Sequence, residues 1–180
     1  MAAKQINMLQ GKRLSIVAFF MLVGTTVLAQ AQYEITTAER HNKQKVLRGI
    51  INKYLVMNDP AYSWYQANQT VYTPDTATLS AMEKAKGKVQ FIVFGGTWCE
   101  DTQFILPKFF KLQEMSGISD AQITLFGVNE DKKSLGHIAE AFGITNVPTI
   151  IVMKDAKEVG RVVEYGKTGK WDVELAALLR

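Results

Sequence analysis

A nearly continuous apolar run passes directly into an amphipathic helix pattern, and this junction constrains the fold more than any other segment. The run covers residues 89–94 with one polar interruption, Gln90, which is typical of a strand covered on both faces. Gly95-Gly96-Thr97-Trp98-Cys99 follows, and apolar residues then recur at helical spacing from residue 105 to residue 112. The sequence therefore predicts a strand, a tight turn and a helix, with Cys99 at the N-terminus of the helix.

Cys99 is the only cysteine of the chain, and its predicted position makes it a candidate nucleophile. The dipole and the free N–H groups of a helix N-terminus stabilise a thiolate, which is the reactive form of a thiol. Three residues later, where a dithiol site carries its second cysteine, the chain has Thr102. Cys99 therefore either reacts with other molecules or is a small buried apolar residue. The turn and helix-start residues around it favour partial exposure.

The rest of the chain alternates between helix and strand patterns. Residues 39–56 carry apolar side chains at helical spacing and are predicted to form a helix, whereas residues 61–74 are an aromatic stretch without a clear period. Pro74-Asp75-Thr76 opens a second helix, which runs to about Lys86. The later predicted elements are a strand at 123–128, a helix at 134–142, strands at 147–153 and 158–165, and a helix at 170–179.

This order of elements predicts an α/β fold. Right-handed crossovers place the first three strands parallel and the last one antiparallel, in one mixed sheet of about four strands with helices on both faces. An extra helical segment precedes the sheet. The predicted organisation is an export signal at 1–31, a helical extension packed on the domain at 32–88 and a core at 89–180.

The first 31 residues have the layout of an export signal. Three basic residues precede an apolar stretch from Leu14 to Leu28, and Ala29-Gln30-Ala31 offers a cleavage site. The expected location is the periplasm or the medium, and a membrane anchor through residues 14–29 is the alternative. Loss of the segment lowers the formal net charge from +4 to +1. The charge therefore gives no reason to expect nucleic acid as a partner.

Composition and histidine spacing exclude several other classes. With 180 residues, of which 47% are apolar and 21% charged, the chain resembles one ordinary globular domain rather than a disordered or repetitive protein. The two histidines, His41 and His137, lack the spacing of metal ligands and are predicted to be exposed residues on helices. No metal or cofactor is expected.

Four features of residues 89–180 occur together in a known order and spacing. They are Trp98-Cys99 at a strand-to-helix turn, Pro107 eight residues after the cysteine, Gly143-Ile144 followed by Val147-Pro148-Thr149, and Gly160 in the last hairpin. With these features the chain resembles the thioredoxin-like superfamily, especially the secreted thioredoxin-domain proteins of bacteria.

The resemblance implies a site around the cysteine. Cys99 would be the attacking thiolate and Trp98 a flat wall beside it. Val147 would precede a cis peptide bond to Pro148 and would pair its backbone with an extended substrate segment. Thr102 would donate a hydrogen bond to the thiolate.

Two departures from the family pattern concern release of the substrate. Thr102 replaces the resolving cysteine, and Val93 occupies the position of the buried acid that helps to deprotonate that cysteine in many thioredoxins. A mixed disulfide on Cys99 must then wait for an external thiol.

Two functions are compatible with this site. The first is monothiol thiol–disulfide exchange in the bacterial cell envelope, with protein or low-molecular-weight thiols and disulfides as partners. The second is a non-catalytic module that binds peptides or proteins on the same scaffold. Two chains could also cross-link through Cys99, and the membrane would be contacted only through an uncleaved export segment.

Overall fold

One mixed sheet organises the molecule, and the computed structural model describes it within residues 31–180. Its strands are β1 (Tyr33–Ala38), β2 (Gln44–Ile51), β3 (Gln90–Gly95), β4 (Ile123–Gly127), β5 (Thr149–Lys154) and β6 (Lys157–Val163). Their order across the sheet is β1-β2-β4-β3-β5-β6. The predicted α/β class is confirmed, and the sheet has six strands instead of about four.

The helices cover this sheet. They are α1 (Lys53–Met57), α2 (Trp64–Val71), α3 (Thr76–Ala85), α4 (Glu100–Ser116), α5 (Ile138–Ala141) and α6 (Trp171–Leu178). Local chemistry sets several of their ends. The Asp75 side chain caps α3 by accepting from the amide of Thr78 at 2.9 Å. Gly117 ends α4 in the left-handed conformation, with a φ of 69°.

Two buried clusters lie on opposite faces of the sheet. The larger cluster packs Phe91 and Val93 of β3 against α4 and its neighbouring helices. The smaller one contains Phe94 of the same strand, together with Trp98 and residues around α5. Because successive strand residues point to opposite faces, β3 is buried on both sides and needs apolar residues at nearly every position.

The helix predicted over residues 39–56 is wrong for most of its length, because residues 39–43 form a turn and residues 44–51 form β2, and only its last residues belong to α1. Val46 belongs to the smaller cluster and Leu47 to the larger one, so neighbouring apolar residues enter opposite faces of the sheet. A strand buried on both faces can place apolar residues at the same spacings as a helix face. The strand pairs antiparallel with β1 on one side and with β4 on the other.

The direction predicted for β5 is also wrong. β3 and β4 are parallel, but β5 runs antiparallel to β3. The segment between β4 and β5 contains only the single turn of α5 and one short 3-10 turn, so it does not cross back over the length of the sheet. The chain enters β5 at the end of the sheet where β4 stops. A further difference is α2, which forms within the aromatic stretch that shows no clear period.

The predicted export segment and its alternative as an anchor over 14–29 lie outside the described residues. Within the part that the structure describes, no helix has both the length and the apolar character needed to span a bilayer.

Gly127→Ala tests the assignment of residues 44–51 to a strand. A Cβ at Gly127 on β4 would overlap the backbone carbonyl of Leu47 on β2, so the two strands would have to separate. We expect the free energy of unfolding in urea to fall by about 3 kcal/mol. The control is Gly87→Ala, where a Cβ meets nothing within 4 Å and only the φ of +73° opposes the change. That strain costs about 1 kcal/mol. Equal losses in the two variants would contradict the pairing of β2 with β4.

Candidate functional site

Cys99 lies at the start of α4, as predicted, and is partly buried. Its backbone is extended, with φ −86° and ψ 124°, and its carbonyl accepts the hydrogen bond from Gln103 N at 2.9 Å. The thiol Sγ donates to the carbonyl oxygen of Val147 at 3.2 Å. The sulfur therefore lies between the first turn of a helix and the loop that leads into β5.

The loop before β5 is the second part of the site. The Val147–Pro148 peptide bond is cis, and both residues are buried. Pro148 O accepts from the amide of Glu164 at 2.7 Å, and Thr149 Oγ1 donates to Asn146 O at 2.7 Å. In this arrangement the Val147 carbonyl accepts from the thiol, so a substrate strand that paired with this carbonyl would lie directly beside the Cys99 sulfur.

Trp98, predicted as a flat wall beside the thiol, is a buried residue of the site. Its side chain is only 6% exposed, and Nε1 donates to Val128 O at 3.1 Å. The indole folds back over Gly96, where an added Cβ would lie 2.6 Å from Nε1. The glycine before Thr97 is therefore needed for this position of the ring.

Thr102 is fully buried, and its hydroxyl is used by the turn. Oγ1 accepts from the amide of Gly96 at 3.2 Å. No hydrogen bond connects Thr102 with Cys99 among residues 31–180, in contrast to the donor role implied by the family resemblance. Val93 lies on β3 and is fully buried. The buried polar side chains of the described segment include no carboxylate.

His41 is a site residue that the sequence interpretation missed. It lies in the turn between β1 and β2, not on a helix, and its ring centroid is 4.7 Å from that of Trp98. His41 Nδ1 is 2.7 Å from Oε1 of Glu130, which also accepts from the amide of Arg40 at 2.8 Å. A sequence signal for this turn exists. Residues 39–45 are all polar, and they separate a segment in which apolar and polar residues alternate (33–36) from the apolar pair Val46-Leu47, as expected for a turn between two strands. The other histidine, His137, is 91% exposed.

His41 and Cys99 line the same shallow depression, together with Trp98, Glu100 and Asp101. Its volume is about 380 Å³. A substrate that reaches the thiol through this depression therefore also meets residues that carry one imidazole and two carboxylates.

Two aromatic residues lie near the start of α4. The rings of Phe104 and Tyr165 are 5.8 Å apart, and both side chains are more than one third exposed. Partial burial, followed by the negative charge of Asp101, raises the pKa of Tyr165. This pair provides apolar contact area at the surface.

Glu130 is held by hydrogen bonds that favour its charged form. Burial raises the pKa of its carboxyl, but the bonds from His41 and from the amide of Arg40 outweigh burial, so the pKa is lowered. The side chain is 13% exposed. The charge of this carboxylate therefore stabilises the turn that carries His41.

Most of the described chain resembles known thioredoxins. The Thioredoxin family model matches residues 71–174. The thioredoxin of Staphylococcus haemolyticus is 29% identical over 83 residues, which covers 46% of this chain and 75% of the relative. The thioredoxin of Mycolicibacterium smegmatis is 28% identical over 113 residues, covering 59% of this chain and 92% of the relative.

Two further proteins resemble the chain over a smaller share of their length or at a lower identity. Thioredoxin H2-2 of rice is 34% identical over 76 residues, covering 42% of this chain and 52% of the relative. A solved structure from Pseudomonas aeruginosa, described as a protein of unknown function, aligns with a TM-score of 0.44 and 16% identity. It covers 64% of this chain and 79% of that protein. The family segment contains Cys99, Thr102 and Pro148, whereas His41 lies before it.

Glu130→Gln tests the electrostatic role of the carboxylate. Because the folded pKa is below the ordinary value of 4.5, the charged form stabilises the fold above pH 4.5, and this contribution is lost as the pH falls through the folded pKa. We expect the variant to have a lower melting temperature at pH 7 and a difference from wild type that shrinks toward pH 3. The control is Glu83→Gln, which removes an exposed carboxylate of α3 that forms no ion pair within residues 31–180. A difference that stays constant from pH 7 to pH 3 would contradict this role.

Proposed function

Because this chain belongs to the thioredoxin family, we propose that it performs thiol–disulfide exchange with Cys99 as its single reacting thiol. The observation that carries the proposal is the position of the thiol at the start of α4, 3.2 Å from Val147 O and beside Pro148. Partial exposure lets a substrate reach this sulfur, whose thiolate is the form that reacts.

The exchange has two steps. In the first, the Cys99 thiolate attacks one sulfur of a disulfide, forms a mixed disulfide and releases the other sulfur as a thiolate. In the second, an external thiolate attacks the substrate sulfur of the mixed disulfide. The products are a new substrate disulfide and free Cys99 thiolate, so the protein itself undergoes no net oxidation or reduction.

The monothiol character is supported by the residues around Thr102. This side chain occupies the position of a resolving cysteine, is fully buried and is hydrogen-bonded to Gly96. Val93 offers no acid that could deprotonate a thiol at that position. A substrate captured on Cys99 therefore has to be released by a thiol from outside the chain.

The proposed location is the envelope of a bacterial cell, and its support is the export pattern of residues 1–31. The partners there would be proteins with disulfides or low-molecular-weight thiols and disulfides. A dimer linked through Cys99 is one product of the same chemistry.

Cys99→Ser tests the exchange function directly. Incubation with glutathione disulfide should give wild-type protein with one glutathione adduct, which an added thiol removes, and the variant should give none. Intact-mass spectrometry measures both states. Trapped adducts from envelope extract, compared between the two proteins on non-reducing gels, would identify substrates. An unreactive thiol in the folded protein would contradict the proposal and favour a non-catalytic binding module.

Thr102→Cys tests why release is external. A second thiol three residues after Cys99 should form an internal disulfide and displace captured substrate without an added thiol. Thr102→Ser is the matched control, because it keeps the hydroxyl that accepts from Gly96 and adds no sulfur. Single-turnover release of a glutathione adduct, followed by mass, measures the difference. Equal release by the cysteine and serine variants would contradict the assignment.

A further inference from the structure

We propose that His41 is a catalytic acid–base residue for the exchange at Cys99, and that Glu130 positions its ring. The inference deepens the proposed function and rests on it. Its basis is that the β1–β2 turn, which lies before the family segment 71–174, places an oriented imidazole in the depression that contains the thiol.

The orientation of the ring is the first argument. His41 Nδ1 is 2.7 Å from Oε1 of Glu130, and the amide of Arg40 donates to the same oxygen at 2.8 Å. The ring also packs against the buried Trp98. Nδ1 is thereby committed to Glu130, and the hydrogen bonds within residues 31–180 leave Nε2 without a partner. With 39% of its side chain exposed, His41 can present Nε2 to a bound substrate.

The need for a proton donor is the second argument. When Cys99 attacks a dialkyl disulfide, a basic alkyl thiolate must leave, and its departure is easier when it is protonated. A dithiol site has a second sulfur and a buried acid nearby. Here those positions hold Thr102 and Val93, and neither transfers a proton at neutral pH.

The proton balance closes over one cycle. An imidazolium at His41 gives its Nε2 proton to the leaving thiolate as the mixed disulfide forms on Cys99. The neutral ring, with its Nδ1 proton held by Glu130, then takes the proton from the incoming external thiol. That thiolate attacks the mixed disulfide and frees the Cys99 thiolate. The net reaction exchanges one disulfide and one thiol for another disulfide and another thiol.

Charged groups around the ring come from three segments. Glu130 contacts it directly, and Glu100 and Asp101 line the same depression. Two positively charged residues also lie near the ring. Lys132 Nζ is 5.5 Å from the centre of the Trp98 ring, and Arg40 directly precedes His41 in the chain. Arg40 is paired with Asp131 at 2.7 Å and with Glu130 at 3.7 Å.

The test compares the rate of adduct formation on Cys99 in wild type and in His41→Asn. It uses two disulfides whose leaving thiolates differ in basicity. With glutathione disulfide, whose alkyl thiolate needs a proton, we expect adduct formation to slow about a hundredfold. With an aromatic disulfide such as dithiobis(nitrobenzoate), whose thiolate leaves unprotonated, the rate should be unchanged. The ratio of the wild-type rate to the variant rate with glutathione disulfide should fall between pH 5 and pH 8, the range in which histidines lose their proton, while the rise in rate that both proteins owe to ionisation of Cys99 should remain. The control is His137→Asn, which alters the other, 91% exposed histidine and should match the wild type in every assay.

Two additional measurements separate acid–base chemistry from a structural effect. Imidazole in solution should restore part of the rate of His41→Ala with glutathione disulfide. Glu130→Gln should reduce the same rate less than His41→Asn and should leave the aromatic disulfide unaffected.

Each outcome decides one claim. Equal slowing with both disulfides would show that His41 only supports the shape of the site and would overturn the inference, as would an unchanged rate with glutathione disulfide. Failure of wild-type Cys99 to react with either disulfide would instead overturn the proposed function.

Discussion

The hydrogen bond from the Gly96 amide to Thr102 Oγ1 is the constraint on which the site depends. It closes the turn between β3 and α4 from the inside and so fixes where the helix begins. An added Cβ at Gly95 would lie 3.0 Å from the methyl of Thr102, and one at Gly96 would collide with the Trp98 ring. Two glycines followed by a buried threonine thus allow the tight turn that leaves Cys99 as the residue before the helix.

The sheet then supplies the partners of this turn. Trp98 Nε1 donates to Val128, which follows β4, and Cys99 Sγ donates to Val147, which precedes β5. Both acceptors lie at the same end of the sheet because the segment between β4 and β5 stays there. Thr97 Oγ1 adds a third bond, at 3.0 Å, to the carbonyl of Lys45 on β2. Bonds to β2 and to the segments that follow β4 and precede β5 therefore hold the residues around the thiol, which gives the site a rigid base.

Elements with a local signal could be predicted from the sequence, and contacts between distant segments could not. The β3–turn–α4 unit and the start of α3 at Asp75 follow from apolar period and capping. The strand β2 could not be recognised, since Val46 and Leu47 enter different cores and mimic a helix spacing. The direction of β5 depends on whether the segment between β4 and β5 crosses the length of the sheet, which the sequence does not reveal. His41 reaches Trp98 only because β2 joins the sheet beside β4, a pairing that no local pattern encodes.

Replacement of a resolving cysteine by threonine has a consequence for the fold as well as for the chemistry. A buried hydroxyl must be hydrogen-bonded, and at Thr102 the Gly96 amide meets that need without the thiol at position 99. The geometry of the turn is thereby independent of the redox state of Cys99, because no bond between positions 99 and 102 forms or breaks during exchange. A monothiol site of this kind has to obtain proton transfer and release from groups outside the turn. The β1–β2 hairpin, which lies outside the family segment and brings His41 and its Glu130 partner against Trp98, is positioned to contribute the first of these.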